Sequence, residues 1–235
     1  MQHFPKPFSG KVIDIGALDI NGGPHRDLEC QEYVGVDVAA GPNVTLISRG
    51  EDVDLASNSF DVSMSSECFE HNPSWRETLD NMIRMTKPLG LVVFSCASVG
   101  RLEHGTTRSD SGYGSPLTVG QGQEYYKNVS RRMLLRALNR NSFIAFRIFT
   151  NFHTSDLYFL GVKAASSANP REESKQLMTN LGDFDAYTKR FVSNENQKAI
   201  RRLPLIMFAR VFQKFYFSPG YRKYLLLRKH LTGRA

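Results

Sequence analysis

The sequence predicts an α/β fold, a mostly parallel sheet with helices between its strands. Three observations lead there. Short β-branched or apolar runs alternate with helical periodicity through the first two thirds of the chain. The first of these runs ends in Asp14-Ile15-Gly16 and is followed by a turn rich in Asp19, Asn21, Gly22 and Gly23, as where open α/β sheets bring backbone close to a ligand. The last two runs are separated by a short polar segment, as in a hairpin.

The elements follow in order. Residues 11–15 (KVIDI), 33–37 (YVGVD), 43–48 (NVTLIS) and 60–65 (FDVSMS) are bounded by Gly, Pro, Asp and Asn, and each reads as a buried strand. Pro73 and Ser74 open a helix in which Trp75, Leu79, Met82 and Ile83 recur near the helical period, and the segment Lys87-Pro88-Leu89-Gly90 stops it. Residues 91–96 (LVVFSC) form a fifth strand. The stretch 97–128, rich in Gly, Ser and Thr, has no periodicity and is too long for a simple connection, which marks it as an inserted functional loop. Ser130 starts a helix running to Asn141. Residues 143–149 and 156–164 make the terminal strand pair. The segment 165–175 (ASSANPREESK) reads as a linker from a domain spanning 1–164 into a basic, helical C-terminal appendage over 165–235.

Composition bounds the function. With 235 residues, 41% of them hydrophobic and 23% charged, the chain is long enough to bury one sizeable core and is neither disordered nor fibrous. Cys30, Cys68 and Cys96 are odd in number and widely spaced, with no Cys-x-x-Cys pair and no histidine at a zinc-ligand interval. Buried reduced thiols and no metal site are the expectation. The first ten residues lack the apolar core of a secretory signal, and no apolar run approaches the roughly 20 residues that span a bilayer. A soluble, cytoplasmic protein is expected. The net charge of +7 is unevenly spread: the segment 198–235 holds ten Lys and Arg and no acid, which leaves 20 basic against 23 acidic residues before it. Any electrostatic partner therefore belongs to the tail.

Four pieces, in this order, resemble one family: VIDIGALDINGG, YVGVDVAAGPNV, NSFDVSMSSECFEHNPSW and MIRMTKPLGLVVFSC. They resemble the class I S-adenosylmethionine-dependent methyltransferases over roughly residues 11–164. The resemblance implies a Rossmann-like three-layer sandwich with a seven-stranded, mostly parallel sheet and an antiparallel final strand. It also implies S-adenosylmethionine as cofactor. By motif position, Asp14, Gly16, Ala17 and Leu18 would wrap the methionine part, with Asp19 and Asn21 adding polar contacts. Asp37, with Val38, would hold the ribose hydroxyls, Glu51 and Asp52 would meet the adenine, and Ser66 and Glu67, at the end of the fourth strand that borders the transfer site, would also bind the cofactor. The first loop departs from the family's usual glycines two apart, because Leu18 and Ile20 follow Gly16 and glycine returns only at Gly22 and Gly23. NAD would use the same strand-end carboxylate, but the irregular glycines and the segment from FDVSMSSECFEH to KPLG speak against a dehydrogenase.

Candidates for chemistry cluster after the fourth strand and in the insertion. His71 and His104 are placed as possible bases for an acceptor that must lose a proton. Glu67 and Glu70 also read as solvated or capping carboxylates. Thr106, Arg108, Tyr125, Tyr126 and Lys127 offer hydroxyls, charge and aromatic faces from a lid, which suits a hydroxyl-rich acceptor. The pairing of EHGT with a later YYKN is similar to methyltransferases associated with surface-glycan genes, which implies O-methylation of a sugar or other small hydroxylated acceptor. The tail interleaves Arg and Lys with Leu, Ile, Phe and Tyr; it suits a packed appendage, peripheral contact with an anionic inner membrane surface or, less well, a nucleic-acid partner. The rival readings are a nucleic-acid or lipid-linked methyltransferase using that tail, and a binding protein that kept the fold without the transfer. The oligomeric state is left open.

Overall fold

The structure, a computed structural model, describes residues 10–20, 22–109 and 114–165. Asn21 and nearly all of the expected linker and basic appendage lie outside the described residues. Seven strands form one sheet: β1 (Lys11–Ile15), β2 (Glu32–Asp37), β3 (Leu46–Ile47), β4 (Phe60–Ser66), β5 (Thr86–Ala97), β6 (Phe143–Asn151) and β7 (Asp156–Lys163). Their spatial order is β3-β2-β1-β4-β5-β7-β6. Neighbours among β1 to β5 pair parallel, while β7 runs antiparallel to both β5 and β6. This is the expected Rossmann-like sheet with its antiparallel final strand. The chain winds outward from β1 to β3 and then returns to β4 on the other side of β1, so the carboxyl ends of β1 and β4 form the switch point where such sheets open a crevice.

Among the described residues, three α-helices accompany the sheet: α1 (Trp75–Met85), α2 (Pro116–Gln121) and α3 (Arg131–Ala137). The buried side of α1, with Leu79, Met82 and Met85, and that of α3, with Leu134 and the following Leu138, join one apolar cluster with Ile13, Ile15, Val92, Phe94, Leu157 and Phe159 of the sheet. Phe94 stacks on Phe159 with ring centroids 4.9 Å apart, and Phe69 lies 4.6 Å from Phe94. Opposite residues of the same strands, Val12, Val62, Met64, Leu91, Leu160 and Val162, form a second cluster. Among the described residues, Leu28, Cys30 and Tyr33 on the way from β1 into β2 pack against it, and no α-helix contributes to it.

Several expected boundaries shift for local reasons. The segment Lys87-Pro88-Leu89-Gly90 does not separate helix from strand, because α1 ends at Met85 and β5 begins at Thr86. The four residues instead sit in a register break, where Phe60 pairs with Thr86 but Val62 pairs with Leu91, and Leu89 takes φ +63°. Proline lacks the ladder donor and is tolerated at such an irregularity. β3 shortens to two residues because Asn43 turns left-handed at φ +69°. Ser130 caps α3 by accepting from Met133 N at 3.2 Å, but the helix stops at Ala137 and Asn139 caps a following 3₁₀ turn. The terminal strands form the expected hairpin, with Asn151 Oδ1 accepting from His153 N inside its turn. The insertion after β5 contains α2, opened by Ser115, whose hydroxyl accepts from Thr118 N. Its two ends meet: Ser98 N donates to Ser155 O and Val129 N donates to Ala97 O, at 2.8 and 2.9 Å.

Candidate active site

A cleft of about 680 Å³ opens over the carboxyl ends of β1, β2 and β4, roofed by parts of the insertion. That size is ordinary for a small-molecule site. Its floor is made by the loop after β1. Gly16 adopts φ +81°, and a Cβ there would stand 2.6 Å from the Cβ of Cys68, so the turn accepts only glycine. The backbone amides of Gly16 and Ala17 both donate to Val36 O, tying the loop to β2.

Two carboxylates anchor this end. Asp14 is buried; Tyr33 Oη donates to its Oδ2 at 2.9 Å, while Oδ1 has no hydrogen-bond partner. Burial pushes the Asp14 pKa up to about 6, opposed by the Tyr33 hydrogen bond. Asp37, at the end of β2, accepts from Leu18 N on Oδ2 at 3.1 Å and from Val38 N on Oδ1 at 2.7 Å. Burial raises its pKa and these backbone donors hold it back. A carboxylate has about four acceptor positions, so Asp37 shapes the loop and retains acceptor capacity toward the cleft. Asp19 closes the loop, with Gly22 N donating to Oδ1 at 2.6 Å and His25 Nε2 lying 3.6 Å from Oδ2.

The far wall comes from Ser48 to Glu51, around the 3₁₀ turn Gly50–Asp52, which α1 braces from behind. Glu51 Oε2 accepts from Thr78 Oγ1 at 3.0 Å, and Asn81 Nδ2 donates to Gly50 O and Val53 O, so α1 fixes this turn. Glu51 lines the cleft, whereas Asp52 is exposed and does not.

The third wall follows β4. Phe69 is fully buried in the core and pins the segment that carries Glu67, Glu70 and His71. Glu67 takes φ +51°, an uncommon conformation for a non-glycine residue. Its Oε1 accepts from Ser95 Oγ, and its Oε2 lies 4.0 Å from Arg101. Arg101 also donates to Asp156 Oδ1 at 2.7 Å, clamping the root of the insertion to β7. The expectation that Glu70 is solvated is overturned: it has no exposed surface, no side chain hydrogen-bonds to its carboxylate, and the backbone amides of Glu70 and Ala97 face it. Burial and the neighbouring Glu67 raise its pKa well above the usual range. His71 is pushed down to about 3 by burial and by His104, and burial also lowers His104. Both imidazoles are neutral near pH 7. Gly105, at φ +68°, crosses directly over His71, where a Cβ would stand 2.7 Å from Cε1.

The structure brings Asp14, Gly16, Ala17, Leu18, Asp19, Asp37, Val38, Glu51, Ser66, Glu67, His71 and His104 to one cleft. It does not bring Thr106, Arg108, Tyr125 or Tyr126 to that lining. Thr106 is buried and donates to Glu103 Oε1 at 2.7 Å, Arg108 donates to the same oxygen, and Tyr126 Oη donates to Leu102 O at 2.8 Å. These three polar groups hold the insertion together, because its short chain must satisfy buried donors internally. Arg101, Asn72, Glu103 and Ser109 line the cleft without having been legible from the sequence. Across the opening, Arg49 Nη2 donates to Gln121 Oε1 at 2.6 Å and to Gln123 Oε1 at 3.2 Å, joining the β3 side to the insertion.

The chemistry of this cleft discriminates between nucleotide-type ligands. Asp14, Asp19, Asp37, Glu51, Glu67 and Glu103 line it against Arg49 and Arg101, a surplus of negative charge that opposes a pyrophosphate and suits a cationic ligand. The first loop leads to a four-residue 3₁₀ turn, Pro24–Asp27, rather than to a helix whose N-terminus would bind phosphate. The unpartnered Asp14 Oδ1 and the spare acceptor positions of Asp37 fit the ammonium and ribose hydroxyls of S-adenosylmethionine.

Residues 14–94 match the model of a family described as a methyltransferase domain. No curated protein matches the chain. Solved structures similar to it include a Listeria monocytogenes protein assigned to the S-adenosylmethionine-dependent methyltransferases, at 14% identity and TM-score 0.46, covering 70% of this chain and 96% of that one. Another is Haemonchus contortus phosphoethanolamine N-methyltransferase 2, at 19% identity and TM-score 0.48, covering 67% and 49%. A third is the 1,6-didemethyltoxoflavin-N1-methyltransferase of Burkholderia thailandensis, at 14% identity and TM-score 0.45, covering 66% and 71%.

Proposed function

We propose, from the methyltransferase-domain match over residues 14–94, that this chain is a class I S-adenosylmethionine-dependent methyltransferase that methylates a hydroxyl of a small polar acceptor, a sugar or a related hydroxylated molecule. S-adenosylmethionine, when bound, supplies a methyl group on an already activated sulfonium. The protein's task is then to hold the acceptor oxygen in line and to manage its proton. Asp14 and the first loop hold the methionine end, Asp37 the ribose, and Glu51 the adenine side. The methyl group is delivered toward the wall formed by Glu67, His71 and the insertion.

The observation that carries the acceptor class is the polarity of that wall. Arg101, Glu103, His104, Ser109 and Ser115 line the cleft from the insertion, and such a wall recognises hydroxyls rather than an apolar substrate. His104 Nδ1 lies 3.0 Å from Leu102 O. With its proton there, Nε2 keeps a lone pair for the acceptor's proton. His71, held down to about 3, is the weaker base of the two.

Calorimetric titration with S-adenosylmethionine and, in parallel, NAD tests the cofactor site, and formation of S-adenosylhomocysteine with monosaccharides and nucleotide sugars tests the acceptor class. Micromolar binding of the first cofactor alone and turnover on hydroxylated acceptors are expected. Turnover only on RNA or on phospholipid vesicles would overturn the acceptor assignment. Asp37→Ala is expected to weaken S-adenosylmethionine by at least about tenfold, since a hydrogen bond to a charged group contributes roughly 1.5–3 kcal/mol. Unchanged affinity in this variant would remove Asp37 from the site.

A further inference from the structure

Glu70, His71 and His104 each offer a ligand atom, and these atoms all lie within 4.8 Å of one another. Three features set this group apart from a chance cluster. Glu70 is fully buried with no side-chain hydrogen bond to either carboxylate oxygen, and His104 Nε2 lies 3.8 Å from Oε1. A buried carboxylate is destabilised unless a cation or donor meets it.

The second feature is the orientation of the rings. His104 presents Nδ1 to the Leu102 carbonyl and leaves Nε2 toward Glu70. His71 makes a hydrogen bond with the Tyr125 backbone, while its buried Nδ1 has no partner. An imidazole tied to the backbone through one nitrogen and open at the other is how metal-ligating histidines are held. The third feature is charge. Glu67, Glu70 and Asp156 gather around the Arg101 guanidinium. One guanidinium does not balance three carboxylates, and a divalent cation bound beside them lets all three ionise together.

We propose that Glu70, His71 and His104 bind a divalent transition-metal ion of the zinc class, with its open coordination positions toward the acceptor side of the cleft. Two imidazoles and one carboxylate favour Zn²⁺ or Co²⁺ over Mg²⁺ or Ca²⁺, which take oxygen ligands. Bond lengths of about 2.0–2.1 Å place tetrahedral ligand atoms about 3.4 Å apart, a contraction that side-chain rotation supplies. A hydroxyl or carboxylate oxygen of the acceptor is the class of ligand that completes such a site. In that respect the inference rests on the proposed acceptor class, and with the ion bound His104 is a ligand rather than a base. The sequence carries no metal-ligand spacing because the third ligand arrives from the insertion.

The test is equilibrium dialysis of the full chain against Zn²⁺, with metal counted by elemental analysis, and Co²⁺ as a spectroscopic probe of the ligand set. One equivalent per chain and a visible Co²⁺ spectrum are expected. His104→Gln, a change at a partly exposed residue, and Glu70→Gln are each expected to weaken Zn²⁺ at least tenfold. Asp37→Ala is expected to lose S-adenosylmethionine and keep the metal, so failure of the metal site and failure of the cofactor site read differently. A stoichiometry near zero overturns the proposal, as does Zn²⁺ affinity in the folded His104→Gln protein equal to that of the wild type.

Discussion

Asp14 illustrates how a single buried carboxylate connects stability to ligand capture. Its pKa is raised from the ordinary 3.8 to about 6, so the folded state binds this proton more tightly than the unfolded chain does. The resulting stabilisation is complete below about pH 4 and is lost as the pH rises through about 6. We expect wild-type stability to fall by roughly 3 kcal/mol over this range relative to Asp14→Asn, from about two pKa units at 1.36 kcal/mol each. Thermal unfolding at several pH values checks this, and parallel curves for the two proteins would contradict it. Asp14 and Asp37 were legible in the sequence because each ends an apolar run before a turn, a pattern that fixes their place at the sheet edge. Glu70 was not, since a glutamate next to histidine and asparagine reads as solvated, and only the burial of Phe69 beside it draws it inside.

Among the elements, the insertion is held across the cleft by Arg49, whose guanidinium reaches Gln121 and Gln123. Arg49→Ala is expected to speed amide exchange in α2 by about fivefold, as the loss of about 1 kcal/mol from an exposed hydrogen bond implies. Hydrogen exchange of residues 116–121 measures it, and unchanged protection would show that the contact does not restrain the element. The strands β1, β4, β6 and β7 were readable because β-branched and aromatic runs with clear boundaries survive in any context. α2 was not readable, because its six residues include Gly120 and offer no apolar period; the Ser115 cap and Pro116 are its only local signals. The Lys87–Gly90 segment misled for a related reason. Pro and Gly mark a break in regular structure, and here the break lies inside a strand as a register shift.

For the whole molecule, the order β3-β2-β1-β4-β5-β7-β6 places the carboxyl ends of β1 and β4 side by side, and every wall of the cleft hangs from strands packed into the main core. Binding there should therefore stabilise the entire domain. At a concentration of S-adenosylmethionine one hundred times its Kd, the gain is about 2.7 kcal/mol, which corresponds to a rise in Tm of roughly 5–10 °C for a chain of this length. A differential scan with and without the cofactor decides it, and an unmoved Tm would mean that the cleft does not bind it. The α/β architecture was legible as a whole because alternation of strand and helix leaves few topologies. The composition of the acceptor wall was not, since its residues are adjacent only after the insertion folds back.

That folding back begins and ends at one point, where Ala97 and Ser98 meet Val129 and Ser155 through backbone hydrogen bonds. An excursion whose stems touch is a cassette: it can be excised, replaced or grafted without altering the path of any strand. On the proposed function, the loops after β1 and β2 that would hold the methyl donor lie outside this stretch, so rewriting it is the route by which the choice of acceptor would change.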